Sequence, residues 1–299
     1  MSHLLVIVLS LHWGLSFLGT KILLEILEPL EIMAVRWTLA CLIFSLLLLC
    51  KSVRINFRGK PVKMLLVAVL LQPCAYSLLE TEGINLTTSS ESSIFISMIP
   101  LVIVLEEWLI YRKRPSGKIL CAIAISFSGL LIGVLFAPDF HIGSKMSGYM
   151  MLTGAVVVGG LYNAVFSEKF SKFYAPVEIT YAMSIGGMLF FNTLSLCQGN
   201  GLRGYAVVLG DLRSAMAAVF LGVGCSCLAY LIHNYNLSRM KASVVSTIQT
   251  NAITVVGVFA GIILGGDSWG WYTIIGLIMA IVGIWISSEK DDNDIQKKY

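Results

Sequence analysis

Ionisable side chains inside long apolar stretches of the sequence are the first candidates for chemistry. His12 lies near the middle of such a stretch, beside Trp13, where an imidazole can titrate near neutral pH and hydrogen-bond a solute. Glu80 lies two helical turns after Pro73 and one turn after Tyr76. A carboxyl group buried away from water holds its proton more strongly, which would suit proton coupling, and it could also hold a cationic substrate group.

Both side chains also allow a structural interpretation. His12 could be a neutral imidazole that hydrogen-bonds a neighbouring helix. Glu80 could be an interfacial carboxylate paired with Arg36 or Lys21. For Arg36 itself we expect a structural role, with hydrogen bonds to helix carbonyls or to Glu31.

Three further carboxylates have simpler expectations. Glu91 follows a run of threonine and serine residues, a pattern typical of a capped helix N-terminus. Glu106 and Glu107 lie near the end of the same apolar stretch, and we expect them to pair with Arg112 or Lys113.

Uncharged polar side chains lie in the later apolar stretches, where lipid would favour apolar residues. Tyr230, His233 and Asn234 share one helical face. Amides and aromatic rings at such depths suit a cavity that hydrogen-bonds a polar or zwitterionic solute, and polar contacts between helices are the alternative. The predicted substrate-binding residues are His12, Trp13, Tyr76, Glu80, Tyr162, Asn163, Tyr230, Asn234, Gln249 and Asn251.

Sequence motifs of common enzyme classes are missing from the sequence. It contains no Walker-type phosphate loop, no Gly-x-Ser-x-Gly, no His-Glu-x-x-His and no Cys-x-x-Cys pair. The seven cysteines are odd in number and lie mostly inside apolar stretches, as small apolar residues do. We therefore predict no catalytic residues, no metal, no cofactor, no direct use of ATP and no nucleic-acid partner.

The elements that position these side chains must cross a membrane. The chain has 299 residues, of which 57% are hydrophobic and 13% charged, and a mean hydropathy of +0.84, whereas soluble domains carry about 25% charged residues. Apolar runs of about 17–25 residues indicate spanning helices rather than a barrel. We predict ten spans, at 4–20, 30–50, 64–83, 89–110, 118–136, 148–167, 177–196, 214–236, 243–264 and 270–288.

The positive charges predict the orientation of these spans. Of the 21 Lys and Arg residues, 16 lie in the loops after the second, fourth, sixth and eighth spans or in the tail. Four lie in the other loops, and Arg36 lies inside a span. The positive-inside rule therefore predicts a multi-pass protein of the plasma or inner membrane with both termini in the cytoplasm. No signal peptide is evident, so we expect the first span to be retained.

An internal repeat divides the ten spans into five plus five. The run Pro-Leu-Glu-Ile at 29–32 recurs as Pro-Val-Glu-Ile at 176–179, and from Ser89 and Ser243 onwards the offset is 154 residues. Because each half has an odd number of spans, the second half is inverted in the membrane, a recurring transporter design around a midplane site. We predict repeats at 1–137 and 146–288, followed by a cytoplasmic tail at 289–299.

Motif-like runs occur in the first, second, eighth and ninth spans. They are Trp13-Gly14, Arg36-Trp37, the runs at 220–223, 229–231 and 234–237, Ala242-Ser243, the run at 250–253 and Leu264-Gly265-Gly266-Asp267. Together they resemble the EamA-type transporters of the drug/metabolite transporter superfamily over nearly the whole chain. Pro100 stands where that family has a proline, whereas Thr254 and Asp267 replace its usual Pro and Glu.

The resemblance implies an all-α membrane protein with ten transmembrane helices as two inverted five-helix repeats. It also implies efflux of small metabolites, amino acids or drugs. We expect a secondary transporter whose partners are a small-molecule substrate and the lipid bilayer, with proton coupling through Glu80 or His12 and facilitated diffusion as competing hypotheses. The alternatives are a multidrug or organic-cation efflux carrier, a membrane-embedded lipid-modifying enzyme and a non-transporting scaffold.

Overall fold

The protein is helical throughout the part of the chain that the structure describes. The computed structural model describes residues 2–112, 114–137, 145–239 and 242–296, and for a few of these, such as Asn251, the backbone alone. No strand occurs among these residues. A chain inside a membrane must satisfy its backbone N–H and C=O groups internally, which helices do. The predicted all-α membrane fold is confirmed.

Eleven helices of eight residues or more follow one another in the described residues. The first five are α1 (Ser2–Leu24), α2 (Pro29–Leu49), α3 (Val62–Leu86), α4 (Ser89–Tyr111) and α5 (Gly117–Leu135). The others are α6 (Met146–Glu168), α7 (Pro176–Cys197), the short α8 (Arg203–Gly210), α9 (Leu212–Leu237), α10 (Ala242–Ile263) and α11 (Trp271–Gln296).

Seven of these helices are long and apolar enough to cross a membrane by length and composition: α1 to α5, α7 and α9. Within the described side chains, α10 and α11 contain shorter apolar segments, Ala252–Ile263 and Trp271–Gly283. The protein is therefore a multi-pass membrane protein. The count of ten spans and the cytoplasmic position of both termini stay predictions.

Helices α2 and α7 pack side by side and run in opposite directions. Asn192 Nδ2 donates to Thr38 Oγ1 (3.0 Å), and Ser45 Oγ lies 3.5 Å from Tyr181 Oη. The residue numbers of the partners on α7 therefore decrease as those on α2 increase. At the centre of this contact a Cβ atom on Gly187 would lie only 2.7 Å from the ring of the fully buried Trp37. The close approach therefore requires glycine.

Both of these helices begin with the repeated Pro-x-Glu-Ile box, and the glutamate has the same two functions in each. Glu31 and Glu178 each accept a hydrogen bond from the backbone N–H three residues earlier, at 3.0 and 2.8 Å. Each also forms an ion pair with a basic residue that follows the other helix: Glu31 with Arg203 (2.8 Å) and Glu178 with Lys60. The repeated box thus caps its own helix and ties it to the other half.

Helices α3 and α9 each contain a wide, π-helical segment in the middle, Leu70–Tyr76 and Phe220–Ala229. In α3 the segment includes Pro73, which cannot donate a backbone hydrogen bond and so disrupts the regular helix. Such segments are frequent at functional sites. Each wide segment contains buried residues, among them Gln72 and Tyr76 in α3 and Cys225 and Ser226 in α9.

Most close helix pairs join the first half of the chain to the second: α1 with α10, α3 with α6, and α5 with α11. The last pair meets at Gly129, where a Cβ atom would lie 2.6 Å from Met279 Cβ and 2.9 Å from the carbonyl oxygen of Gly276. This agrees with packing through small residues. The two halves therefore share their interior, and the repeat boundaries at 1–137 and 146–288 stay a prediction.

Candidate functional site

A buried cavity lies between the halves, away from the helix ends. Helices α1 to α4 form one part of its wall and α6, α9 and α10 the other. Its volume, taken as the space open to the centres of water molecules, is about 40 Å³. The lining residues are Trp13, Ser16, Phe17, Arg36, Gln72, Tyr76, Glu80, Ile96, Ile99, Gly159, Asn163, Tyr230, His233, Ser246, Gln249, Thr250 and Ile253.

The first half supplies two charged side chains to this cavity. Arg36 is 4% exposed, and its Nε donates to Ser226 Oγ in the wide segment of α9 (2.5 Å). Glu80 is 8% exposed and accepts a hydrogen bond on Oε1 from Tyr76 Oη (2.8 Å). Neither side chain forms an ion pair with a described residue, so a guanidinium and a carboxyl group face one cavity without direct contact.

The second half supplies neutral polar groups. His233 Nδ1 lies 3.0 Å from Gln249 Oε1, both side chains being buried. Since this amide oxygen accepts, the bonded imidazole nitrogen donates, and the other ring nitrogen is an acceptor. Asn163 Nδ2 donates to the carbonyl oxygen of Gly159 (2.7 Å), but Asn163 Oδ1 has no partner although it is buried.

Aromatic rings complete the wall and connect the halves. The Trp13 ring lies 5.0 Å from both the Tyr230 and His233 rings, edge-on to the first. Its indole N–H donates to the carbonyl oxygen of Cys225 (3.3 Å), and Gln72 Nε2 donates to Tyr230 Oη (2.6 Å). Because aromatic rings are bulky and stiff, this wall limits the shape of any solute.

Six of the predicted substrate-binding residues line this cavity: Trp13, Tyr76, Glu80, Asn163, Tyr230 and Gln249. Their binding role stays a prediction. The side chain of Asn251 lies outside the described residues.

Three predicted residues lie elsewhere. His12 is partly buried, with Nδ1 2.8 Å from the carbonyl oxygen of Val8 and its ring stacked on Phe220. Tyr162 and Asn234 are fully buried and hydrogen-bonded to each other (2.8 Å), and neither lines the cavity. Their arrangement corresponds to the structural alternative, polar contact within and between helices.

Arg36 lines the cavity with a different partner from those that the sequence predicted. We expected it to bind helix carbonyls or Glu31, but Glu31 pairs with Arg203 and Arg36 turns to Ser226 and the cavity. The available signal was the cost of burying a guanidinium in a membrane protein, which favours a functional site. Gln72 was also missed, although it stands next to Pro73.

The carboxylates of α4 differ from one another. The predicted cap at Glu91 is confirmed, since it forms a capping box with Thr88 and also pairs with Lys145 (3.3 Å). Glu106 packs against Gly160, and its Oε2 is buried without a partner. The expected ion pair of Glu106 is therefore not formed within the described part of the chain. No group of His, Cys, Asp and Glu among the described residues could hold a metal ion.

Comparison with known proteins gives matches over nearly the whole chain. The model of the EamA-like transporter family matches residues 1–135 and 146–288. The uncharacterized transporter YcxC of Bacillus subtilis (strain 168) is 27% identical over 288 residues, 95% of this chain and 91% of its own. An uncharacterized transporter of Archaeoglobus fulgidus is 25% identical over 279 residues, 93% of this chain and 95% of its own. A protein of known crystal structure covers 96% of both chains with a TM-score of 0.68 at 13% identity, a likeness of fold alone.

Proposed function

The chain belongs to the EamA-like transporter family, and from that premise we propose that it is a secondary transporter of the plasma or inner membrane. It exports small polar metabolites, such as amino acids or related solutes, by alternating access through the central cavity. The observation that carries this proposal is the cavity itself, which lies between the halves and is lined by a buried cation, a buried carboxylate and neutral hydrogen-bonding groups.

The cost of these groups supports a functional site. A charged residue at the centre of a membrane helix costs about 2.5–3.5 kcal/mol on insertion scales. Arg36 and Glu80 are both buried and form no ion pair with a described residue that would offset this cost. A scaffold or receptor without a ligand site would gain nothing from them.

The wide segments of α3 and α9 support alternating access. Each interrupts a long helix in its middle and carries cavity residues at or next to its end, Tyr76 in α3 and Tyr230 in α9. Irregular helix geometry lets the two ends of a helix tilt separately. The solute site would then open to one face or to the other as the helix ends move.

An organic-cation or multidrug carrier is the second candidate. It is favoured by one observation: Glu80 shares the cavity with the rings of Trp13, Tyr76 and Tyr230, and aromatic rings with a carboxylate attract cations. Arg36 in the same cavity opposes it, since a simple cation would meet a like charge. Uptake of cationic dyes that is unaffected by substitution of Arg36 would favour this candidate.

A membrane-embedded lipid-modifying enzyme has less support. Adjacent side chains on a helix point about 100° apart, so the neighbouring Glu106 and Glu107 do not form a catalytic pair by sequence position. Turnover of a lipid substrate without vectorial transport would favour the enzyme.

We assign proton coupling to Glu80 rather than to His12, because Glu80 lines the cavity and His12 does not. Uptake by the purified protein in liposomes, with and without a pH gradient, tests it. Equal uptake in both conditions would leave facilitated diffusion as the mechanism. The matched variants are Glu80→Gln and Glu82→Gln, since Glu82 is on the same helix and partly buried but does not line the cavity.

The decisive experiment for transport has two stages. A solute-toxicity screen on cells that lack or overexpress the protein identifies exported compounds, because export protects cells from their own excess solute. Counterflow of the hits in liposomes then tests direct transport by the purified chain. Protection that vanishes without the protein, together with counterflow, is the expected result. Protection without counterflow by any hit would contradict transport by this chain.

A further inference from the structure

We infer that Arg36 binds the carboxylate of the transported solute, while Glu80 and Asn163 accept hydrogen bonds from its protonated amine. This inference rests on the proposed transport function, whose cavity it fills with a specific chemistry. It assigns to Arg36 a role in binding, and it fixes the orientation of the solute relative to the two halves of the chain.

The guanidinium of Arg36 is buried and forms no direct ion pair with a described residue, although Glu80 lines the same cavity. Its Nε is tied to Ser226, and its two terminal nitrogens form no hydrogen bond with a described residue. Burying a charge is costly unless an opposite charge joins it. An anionic group of a ligand in the cavity supplies that charge at hydrogen-bond distance.

The hydrogen bond from Arg36 to Ser226 favours one kind of anion. Ser226 Oγ accepts the Nε–H of Arg36, so the N–H groups on the two terminal nitrogens are left to bind a ligand. A planar fork of this kind matches the two oxygens of a carboxylate, with two parallel hydrogen bonds. Ser226 is fully buried in the wide segment of α9, so the second half orients a cation that belongs to the first.

The same cavity has acceptors that need a donor. Asn163 Oδ1 is buried without a partner on a side chain that is 6% exposed. Glu80 Oε1 is occupied by Tyr76, and Oε2 forms no hydrogen bond with a described residue. A protonated amine has three N–H donors and a positive charge. It therefore satisfies the amide oxygen and the carboxylate together.

The balance of charges favours a ligand that carries both charges over a ligand with only one. A plain cation would neutralise Glu80 but leave Arg36 beside a second positive charge, and a plain anion would do the reverse. A solute with a carboxylate and an amine matches both groups at once. Arg36 and Glu80 both line the cavity without a direct ion pair, so one ligand in the cavity can contact both.

The test uses the full-length purified protein and three matched sets of probes. These are the proteinogenic amino acids, their methyl esters, which lack the carboxylate charge, and their N-acetyl derivatives, which lack the amine charge. Binding is measured by the ligand-induced shift in melting temperature and by a titration of intrinsic fluorescence. At least one amino acid is expected to bind the wild-type protein about 10- to 100-fold more tightly than its two derivatives, since each charged contact is lost in turn.

Substitutions in the site are expected to change which probe binds best, rather than only to weaken the binding of the amino acid. In Arg36→Gln the site retains only the carboxylate, so the methyl ester is expected to bind better than the parent amino acid. In Glu80→Gln the N-acetyl derivative is expected to gain relative to the parent. Ser226→Ala, which frees the guanidinium, should weaken binding less than Arg36→Gln. Glu82→Gln is the control and should keep the wild-type order.

The outcomes separate this inference from the transport proposal. An unchanged preference for the amino acid in Arg36→Gln, or no wild-type binding of any of the probes, would overturn the inference. Counterflow of other solutes would in that case leave transport standing. The reversed preferences without any counterflow would retain the binding site and reject transport.

Discussion

Arg36 and Glu80 occupy positions that the second half of the chain fills with Met183 and Asn234. The offset of 147 residues that relates the two Pro-x-Glu-Ile boxes relates Arg36 to Met183. The larger offset of 154 residues relates Glu80 to Asn234 and also the cavity residues Tyr76 and Tyr230. A charged pair in one half thus has a neutral pair as its counterpart.

The neutral pair is hydrogen-bonded within the protein, whereas the charged pair keeps hydrogen-bonding atoms without partners. Asn234 is fully buried, and its side chain donates to Thr180 Oγ1 (2.8 Å), accepts from Tyr162 Oη (2.8 Å) and lies 3.9 Å from Met183 Sδ. All its hydrogen bonds are made within the protein. Arg36 and Glu80, by contrast, keep atoms without partners and face the cavity.

The two halves share the same helix features, although their polar side chains differ. Both halves have the capped Pro-x-Glu-Ile box, a wide segment in the middle of one helix and a tyrosine at its end. Opening to either face requires equivalent hinges in both halves, whereas binding a small solute requires one site. Under the proposed mechanism, the difference between the two pairs gives a solute with unlike ends one orientation in the cavity.

The largest expected effect comes from making the two halves alike. The double variant Arg36→Met with Glu80→Asn copies the neutral pair into the first half. Two charge-assisted contacts to the solute are lost, so transport should fall by more than about 100-fold. The protein should still fold, because a neutral pair costs less to bury than separated charges. Counterflow in liposomes checks the loss of transport, and the melting temperature checks the folding. Transport within about twofold of wild type would contradict the proposed contacts of Arg36 and Glu80 with the solute.

The second largest effect is on stability rather than transport. Asn234→Leu removes the counterpart of Glu80, and with it the oxygen that accepts from Tyr162 Oη and the amide that donates to Thr180 Oγ1. The expected loss is about 2–4 kcal/mol of unfolding free energy, with transport per folded molecule retained. Thermal unfolding and counterflow normalised to folded protein measure the two quantities. Lost transport with unchanged stability would instead put Asn234 in the solute site.

Sequence patterns predict depth along a helix better than the face to which a side chain points. Tyr162 and Asn163 are neighbours and point about 100° apart; only Asn163 faces the cavity. His12 and Trp13 differ in the same way. The apolar character, the helix starts at the Pro-x-Glu-Ile boxes and the Glu91 cap depend on local sequence, so they could be predicted.

Rotation of a helix and long-range pairing could not be predicted, because both depend on the neighbouring helices. The partner of Glu31 is Arg203, which is far away in sequence, whereas Arg36 lies only five residues from Glu31 and does not pair with it. The bond between Arg36 and Ser226 likewise joins the two halves. A single sequence gives no signal for such pairs beyond the cost of leaving each charge alone.

A smaller effect should distinguish the two repeated boxes. Glu178→Gln and Glu31→Gln keep an oxygen for the helix cap and remove one ion pair each. Glu178 also accepts the backbone N–H of Asn56 (3.0 Å), and Lys60 is 25% exposed against 53% for Arg203. Glu178→Gln should therefore cost about 1–2 kcal/mol and Glu31→Gln less, since water screens the more exposed pair.

The control for this pair of variants is an exposed ion pair. Glu25 and Arg213 lie 3.3 Å apart, and both side chains are more than half exposed. Glu25→Gln should leave the melting temperature unchanged within error. An equal loss in all three variants would show that net charge, rather than the boxes, determines the effect.

The smallest expected effect concerns the starts of α3 and α9. Asp211 caps α9 by accepting from the hydroxyl (2.6 Å) and backbone N–H (2.9 Å) of Ser214, and these bonds lower the pKa of Asp211; α3 starts after Pro61 without a side-chain cap. Because the folded pKa is lowered, the ionised cap stabilises above the unfolded value of about 3.9, and this stabilisation is lost as the pH falls through the folded pKa. The difference in melting temperature between wild type and Asp211→Asn should therefore shrink below about pH 4. A difference that stays constant from low to neutral pH would mean that the charge of the Asp211 carboxylate adds nothing to the stability of the cap.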